Sequence, residues 1–325
     1  MYLTLPGTRT ITLSDSRTIA ALFSSGDNAL TIVNDGALTL LGSSGGSTLN
    51  GGLQLQAGGT LSVEGAGAVL AGGYSQEGGL LSGAGSLTLQ GNANSWQGGT
   101  WAGGGTTTVA PGSRLLIGSL DTATNPTLLN GRDLSVGSAG RLELASDLEV
   151  QGGTNTLSLA SGARLAFTNG LGGYPGLLVH AGRLDLEQAG SLQVESGVNA
   201  QLGTTASGAA LGWTSTGPVQ IDSKASLALY TRPYDADLDS EGVVASLSGP
   251  LSVAPGSALA STSSALTITP GSPSAFQVDG GLTVNGGSAR LATAAAPNAS
   301  LGSLTLIDGS LRLEGPPWPG GRCRR

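Results

Sequence analysis

Residues 95–118 read SWQGGTWAGGGTTTVAPGSRLLIG. Two tryptophans stand five apart among glycines, and behind them comes Thr107-x-Val109, five small or turn-forming residues, then Leu115-x-Ile117. An apolar side chain at every second position is one face of a β-strand, because side chains alternate across the pleat. The five residues Ala110-Pro111-Gly112-Ser113-Arg114 between them supply a bend. Strand, bend, strand is therefore the reading of this stretch.

The same spacing recurs along the chain. It joins Ile11-Leu13 to Ile19-Ala21, Leu30-Ile32 to Leu38-Leu40, Leu53-Leu55 to Leu61-Val63, and Gly79-Leu81 to Leu87-Leu89. Beyond the opening stretch it joins Leu134-Val136 to Leu142-Leu144, Leu157-Leu159 to Leu165-Phe167, and Leu184-Leu186 to Leu192-Val194. Val219-Ile221 with Leu227-Leu229, and Leu251-Val253 with Leu259, keep it. Looser versions run from Leu266-Ile268 to Phe276-Val278, from Leu282-Val284 to Leu291, and from Leu304-Leu306 to Leu311-Leu313. Modules begin about 19 to 35 residues apart, the scale of one winding of a β-solenoid. Successive windings would lie about 4.8 Å apart. Each inward leucine would then sit on its counterpart below, and about thirteen coils would make a rod roughly 60 Å long. An antiparallel sandwich fits less well, since it needs fewer equivalent modules and more aromatic, hairpin-rich strands. A helical solenoid is disfavoured by the glycines and the lack of a 3.6-residue stripe. The expected fold is all-β, a right-handed parallel β-helix.

Composition agrees with an elongated, ordered chain. Of 325 residues 56 are glycine, 39% are hydrophobic and only 11% charged, so apolar surface suffices for a core and charge is too sparse for a typical disordered segment. The net charge of −7 and the absence of a basic stripe argue against nucleic acid as a partner. The single cysteine, Cys323, permits no internal disulfide and offers no metal cluster. The N-terminal stretch MYLTLPGTRTITLSD carries no basic segment followed by an apolar run, and no run of about 18 apolar residues occurs. Any export signal or anchor is thus expected outside this chain.

The run Trp96-Gln97-Gly98-Gly99-Thr100-Trp101-Ala102-Gly103-Gly104-Gly105-Thr106, leading into Val109-Ala110-Pro111-Gly112-Ser113-Arg114-Leu115, resembles a repeat unit of large bacterial surface proteins. These are the filamentous-haemagglutinin-like adhesins and autotransporter passenger domains. Gly36-Ala37-Leu38-Thr39-Leu40 and Gly162-Ala163-Arg164-Leu165 are similar to the same coil signature. The resemblance covers most of residues 10–314, is periodic rather than motif-specific, and implies a right-handed parallel β-helix displayed outside the cell. Two departures stand out. The Asn-Pro-Asn-Gly signature of the haemagglutinin-like secretion domain is reduced to Asn125-Pro126 before Thr127, and these residues lack the many alternating, aromatic-girdled segments that a membrane β-barrel would need.

Chemistry-bearing residues are few. Trp96 and Trp101 precede a strand pair. One is expected to cover a coil face and the other to be partly exposed, open to stacking on a sugar ring or packed over small neighbours. The lone histidine, His180, alternates with Val179 and reads as an outward strand residue without an assignable nucleophile or orienting acid. Asp235, Asp237, Asp239 and Glu241 alternate, which puts four carboxylates on one side of an extended backbone, to hold a hard cation such as calcium or to stand in solvent as a loop. The EF-hand pattern fails there, with no glycine at the sixth loop position and Ser246 in place of the bidentate glutamate. A polysaccharide lyase or glycoside hydrolase on this fold would need carboxylates gathered from neighbouring coils. Asp35, Glu64, Glu143, Asp185, Glu187 and Asp222 instead fall in separate coils. No catalytic, cofactor or metal residue is assigned.

The expected organisation is an irregular lead-in at 1–10, one β-helix over 11–314 with an acidic insertion near 230–248, and a Pro/Gly-rich tail at 315–325. Neither end shows a cap helix, and an uncapped coil invites edge-to-edge association. The expectation is a non-enzymatic, extracellular, structural or adhesive segment. Its partner is an unspecified host-cell, bacterial or polysaccharide surface, or another copy through the ends. The carbohydrate-active enzyme is the alternative.

Overall fold

The computed structural model describes residues 2–3, 9–24, 28–43, 45–119, 126–170, 174–232, 242–269, 276–292 and 300–314. Among the described residues the strands form one continuous sheet of 33, coiled on itself with parallel pairing. The chain is a parallel β-solenoid whose number of windings is close to the expected thirteen. Among the described residues no helix is long and apolar enough to cross a membrane.

Each winding lays down strands on three faces. Asn94–Trp96, Gly99–Ala102 and Thr106–Val109 make one winding. Arg114–Ile117, Thr127–Asn130 and Asp133–Val136 stack on them in that order. The eight-residue spacing seen in the sequence therefore falls at different corners in different windings. Leu30-Ile32 to Leu38-Leu40 crosses from the first face to the second, Gly79-Leu81 to Leu87-Leu89 from the second to the third, and Thr107-Val109 to Leu115-Ile117 from the third back to the first. This is why the module intervals varied so widely.

Register keeps the apolar positions in columns. Leu115, Leu142, Leu165, Leu192, Val219, Leu251 and Phe276 are successive partners on the first face. Ile117, Leu144, Phe167, Val194, Ile221, Val253 and Val278 form the parallel column beside them. None of these fourteen is more than 2% exposed. At about 1.5–3 kcal/mol for each fully buried aliphatic or phenyl group, these columns are the main stabilising term of the rod. A slip of one residue would turn every one of them to solvent, so the register is fixed by burial.

The corners explain the glycine content. Gly190, Gly217 and Gly249 follow one another at the same corner, and a Cβ on Gly217 would lie 1.7 Å from Gly190 O. A Cβ on Gly249 would lie 2.1 Å from Gly217 O. Stacked corners at the sheet spacing leave no room for a side chain there. Buried amides close other corners. Asn94 Oδ1 accepts from Tyr74 N at 3.0 Å while its Nδ2 donates to Gln90 O, Gly91 O and Arg114 O. Asn155 repeats the device, accepting from Gly131 N and donating to Gly152 O and Arg183 O.

The sheet extends slightly beyond the expected limits. Tyr2–Leu3 within the lead-in pairs with Phe23–Ser24. Ser226–Thr231 and Gly242–Leu247, at either side of the acidic stretch, are regular ladder strands. The interval 230–248 is thus strand at both margins. Asp235, Asp237, Asp239 and Glu241 lie outside the described residues, as do the tail 315–325 and Cys323.

Candidate functional site

The tryptophans of the opening stretch are not at the surface. Trp96 points inward from the first face and Trp101 from the second, and both are 0% exposed. Their rings stack across the corner at 4.0 Å with 1° between planes, and Tyr74 tilts against Trp101 at 6.2 Å. The expectation of a partly exposed indole is corrected: the flanking glycines let the backbone turn, and the tryptophans pack on each other. Their polar atoms are satisfied inside. Trp101 Nε1 donates to Gln76 Oε1 at 2.6 Å, Tyr74 OH donates to the same oxygen at 2.5 Å, and Trp96 Nε1 donates to Gly98 O at 3.1 Å. Trp213 uses the same solution further along, donating to buried Gln188 Oε1 at 3.0 Å. None of these three rings can stack on an external sugar.

The carboxylates named from the sequence are held singly. Glu143 is clasped by Arg114 Nε at 2.8 Å and Arg141 at 2.9 Å. Asp185 accepts from Arg183 Nε at 2.9 Å. Asp222 accepts from Gln193 and Gln220, each at 2.6 Å. Glu64 accepts from Ser62 Oγ, and Asp35 sits on an exposed turn beside Asn34. Glu187 is exposed on the third face, where it lines a shallow groove of about 400 Å³ with Ser135, Ser158 and Thr214. No two of these six acids share a partner. Among the described residues no group of three or more His, Cys, Asp or Glu is arranged to hold a metal ion.

One cluster does form, and only its histidine was singled out in the sequence. Glu149 lies on Leu148–Leu159, and His180 on the next winding's Gly176–Gln188. His180 falls where the register shifts between Val150 and Gln151, so it is the extra residue of a bulge. Its Nε2 stands 3.3 Å from Glu149 Oε2 without hydrogen-bond alignment, and its Nδ1 is 2.5 Å from Thr205 Oγ1 on the winding beyond. Asp147, at the corner two residues before Glu149, leaves its Oδ1 buried without a hydrogen-bond partner. Burial, with the Glu149 charge adding to it, pushes the Asp147 carboxyl up to about 6. The sequence signal was the acid pair Asp147-x-Glu149 one winding below His180, visible only when the coil interval at that point is known.

Hydroxyl, imidazole and carboxylate in a row is the order of a nucleophilic relay. The site lacks the rest of one: Thr205 N–H is donated to Val179 O at 3.0 Å, and the grooves at Ser135–Thr216, Ile11–Leu38 and Thr10–Ala93 lie elsewhere. What remains is a group that can take up protons near neutral pH.

No model of a known protein family matches this chain, and no curated protein sequence matches it. Among solved structures, the crystal structure of a TibC-catalysed hyper-glycosylated TibA fragment, residues 55–350, overlaps 95% of this chain and 97% of its own at 16% identity. The TM-score of that superposition is 0.29, too low to carry an argument about fold or function.

Proposed function

We propose that this chain is a stalk-like, adhesive segment of a bacterial surface or secreted protein, and that it is not an enzyme. The observation that supports the reading most is the division of labour across the wall. Large apolar and aromatic side chains dominate the interior, while five of the six acids read from the sequence are each paired or hydrogen-bonded singly on the outside and the sixth, Glu187, stands exposed by itself. A rod so built is rigid and presents a long side wall, whereas hydrolysis or elimination on a glycan needs converging acids and bases. The test coats beads with the purified full chain and measures adherence to epithelial cells, bacterial cells and immobilised polysaccharides. Several-fold excess over albumin-coated beads on at least one surface is expected, with no new reducing ends from any glycan. Adherence at the albumin level on every surface, or release of reducing ends, would overturn the reading.

The reading extends to self-association through the ends. It is supported by the exposure of Leu306 and Ile307, 38% and 65%, on the last described strand. Ile11, Leu13 and Ile19, at the first windings, are only partly buried. Sedimentation of the full chain is expected to shift to larger species as concentration rises, and Ile307→Lys to weaken that shift. A single monomeric boundary at all concentrations would remove this part of the proposal.

A further inference from the structure

We propose that Asp147, Glu149 and His180 form a proton-operated latch between two windings, tightening the bulged corner they share as the medium turns from neutral to mildly acidic. Geometry comes first. Asp147 stands at the corner just before the strand that carries Glu149, two residues from it, and His180 faces Glu149 from the winding above. The bulge at Val150/Gln151 and again at Gln151/Thr154 interrupts the ladder here, so side chains matter more to the joint than where the ladder is unbroken.

The surroundings are short of cations. From the strand below, Thr127–Asn130, come only Thr127, whose hydroxyl donates to the Asp147 carbonyl at 2.5 Å, and the Leu128 partner of Glu149. On its own strand Gln151 Nε2 reaches Glu149 Oε2 at 3.5 Å. The adjoining strand Arg141–Leu144 brings Arg141 and Glu143, which are paired with each other. From the winding above His180 come Gln201 and Thr205, and beyond them Tyr230 with the Arg232 guanidinium 5.1 Å over its ring. Among the described residues, no arginine or lysine forms an ion pair with Asp147 or Glu149.

Asp147 therefore stands beside a second carboxyl group with no cationic partner among the described residues, and its Oδ1 is shut off from water. A proton on Asp147 removes the buried charge and the repulsion from Glu149. The sign follows from the Asp147 carboxyl, whose value in the fold lies near 6 and above the ordinary 3.8. The folded joint binds more protons than the open one in that window, so its stability is highest below the window and is lost as pH rises through about 6. Most acidic surfaces, whose carboxylates are stabilised by partners, behave the opposite way.

His180 is the only histidine of the chain, so its imidazole resonance can be followed without ambiguity. The experiment uses the full chain as wild type, Asp147→Asn, and the double variant with His180→Gln. Amide exchange across Leu148–Leu159 and Gly176–Gln188, corrected for intrinsic rates, is measured between about pH 7.5 and 5. Protection near the bulge is expected to rise by about tenfold over this range, because only the unit from about 6 down to 5 of the displaced titration is crossed. Asp147→Asn, which mimics the protonated acid, is expected to keep most of the high protection at neutral pH and to perturb the His180 imidazole resonance. Wild-type protection that is flat or falls on acidification overturns the latch. So does an undiminished pH response in the double variant, which would place the titrating group elsewhere.

Discussion

Trp101→Ala is expected to lower the stability of the windings around it by about 4 kcal/mol or more. Removing a buried indole or phenyl group costs about 3–5 kcal/mol through lost transfer energy and the cavity left behind. Here the loss has two further parts. The stacked partner Trp96, 4.0 Å away, keeps its burial but loses the face it packs on, and aromatic pairs of this kind contribute about 0.5–1.5 kcal/mol beyond area. Gln76 Oε1 loses one of its two donors in a dry site, leaving only the Tyr74 hydroxyl. The neighbours cannot collapse readily into the space, because the windings above and below are tied by their own ladders. Thr100→Ala, one residue away on the outer side of the same strand, is the control and is expected within about 0.5 kcal/mol of wild type. Urea denaturation followed by tryptophan fluorescence measures both. Each winding contacts only its neighbours, so a broadened transition is as informative as a shifted midpoint. If Trp101→Ala and Thr100→Ala prove alike, the indole is not in the core.

That prediction also marks where the sequence stopped being readable. Period-two apolar pairs such as Leu115-x-Ile117 declared both strand and inward face, because burial imposes the alternation locally. The three-faced winding was not legible in the same way. Tyr74-x-Gln76 is an inward pair on the first face, but its glutamine breaks the apolar pattern, so the period-two rule does not mark it. Gln76 is buried because Trp101, 25 residues later, supplies its donor, and that partnership crosses one winding. Trp96 and Trp101 were misjudged for the same reason: what they pack against is one corner away, and the glycines beside them in sequence are only the hinge. The cluster at His180 was hidden further still. It needs the winding length at that point and a bulge that shifts His180 out of the regular alternation, and neither is written in the local residue types.

The second large effect is expected at Arg132, the one fully buried arginine among the described residues. It enters the corner before Asp133–Val136 and has no carboxylate partner in the interior. Instead its fork spans three windings. Nε donates to Thr107 Oγ1 at 2.8 Å on the winding below, while Nη1 and Nη2 donate to Gly83 O at 3.0 Å and Gly85 O at 2.9 Å two windings below. Burial pulls the guanidinium down to about 10, which still leaves it charged at any physiological pH. Two effects compete when it is replaced by methionine. The desolvation cost of the cation, several kcal/mol, is recovered. Against that, the hydroxyl and three carbonyls, Gly83 O, Gly85 O and the more distant Thr106 O at 3.4 Å, lose a donor, each at about 1–3 kcal/mol when buried, and charge-assisted bonds are the stronger kind. Gly105 closes the same corner, where a Cβ would lie 2.3 Å from Gly85 O and 2.7 Å from Arg132 Nη1. Several charge-assisted bonds lost together outweigh the recovered solvation penalty, so Arg132→Met is expected to destabilise by about 3 kcal/mol. Arg132→Lys is not expected to rescue it, because a single ammonium cannot reach acceptors on both lower windings at once. The same urea titration decides the point: a methionine variant as stable as wild type would mean that the buried charge costs as much as its hydrogen bonds return, and that these three windings are held by their leucines alone.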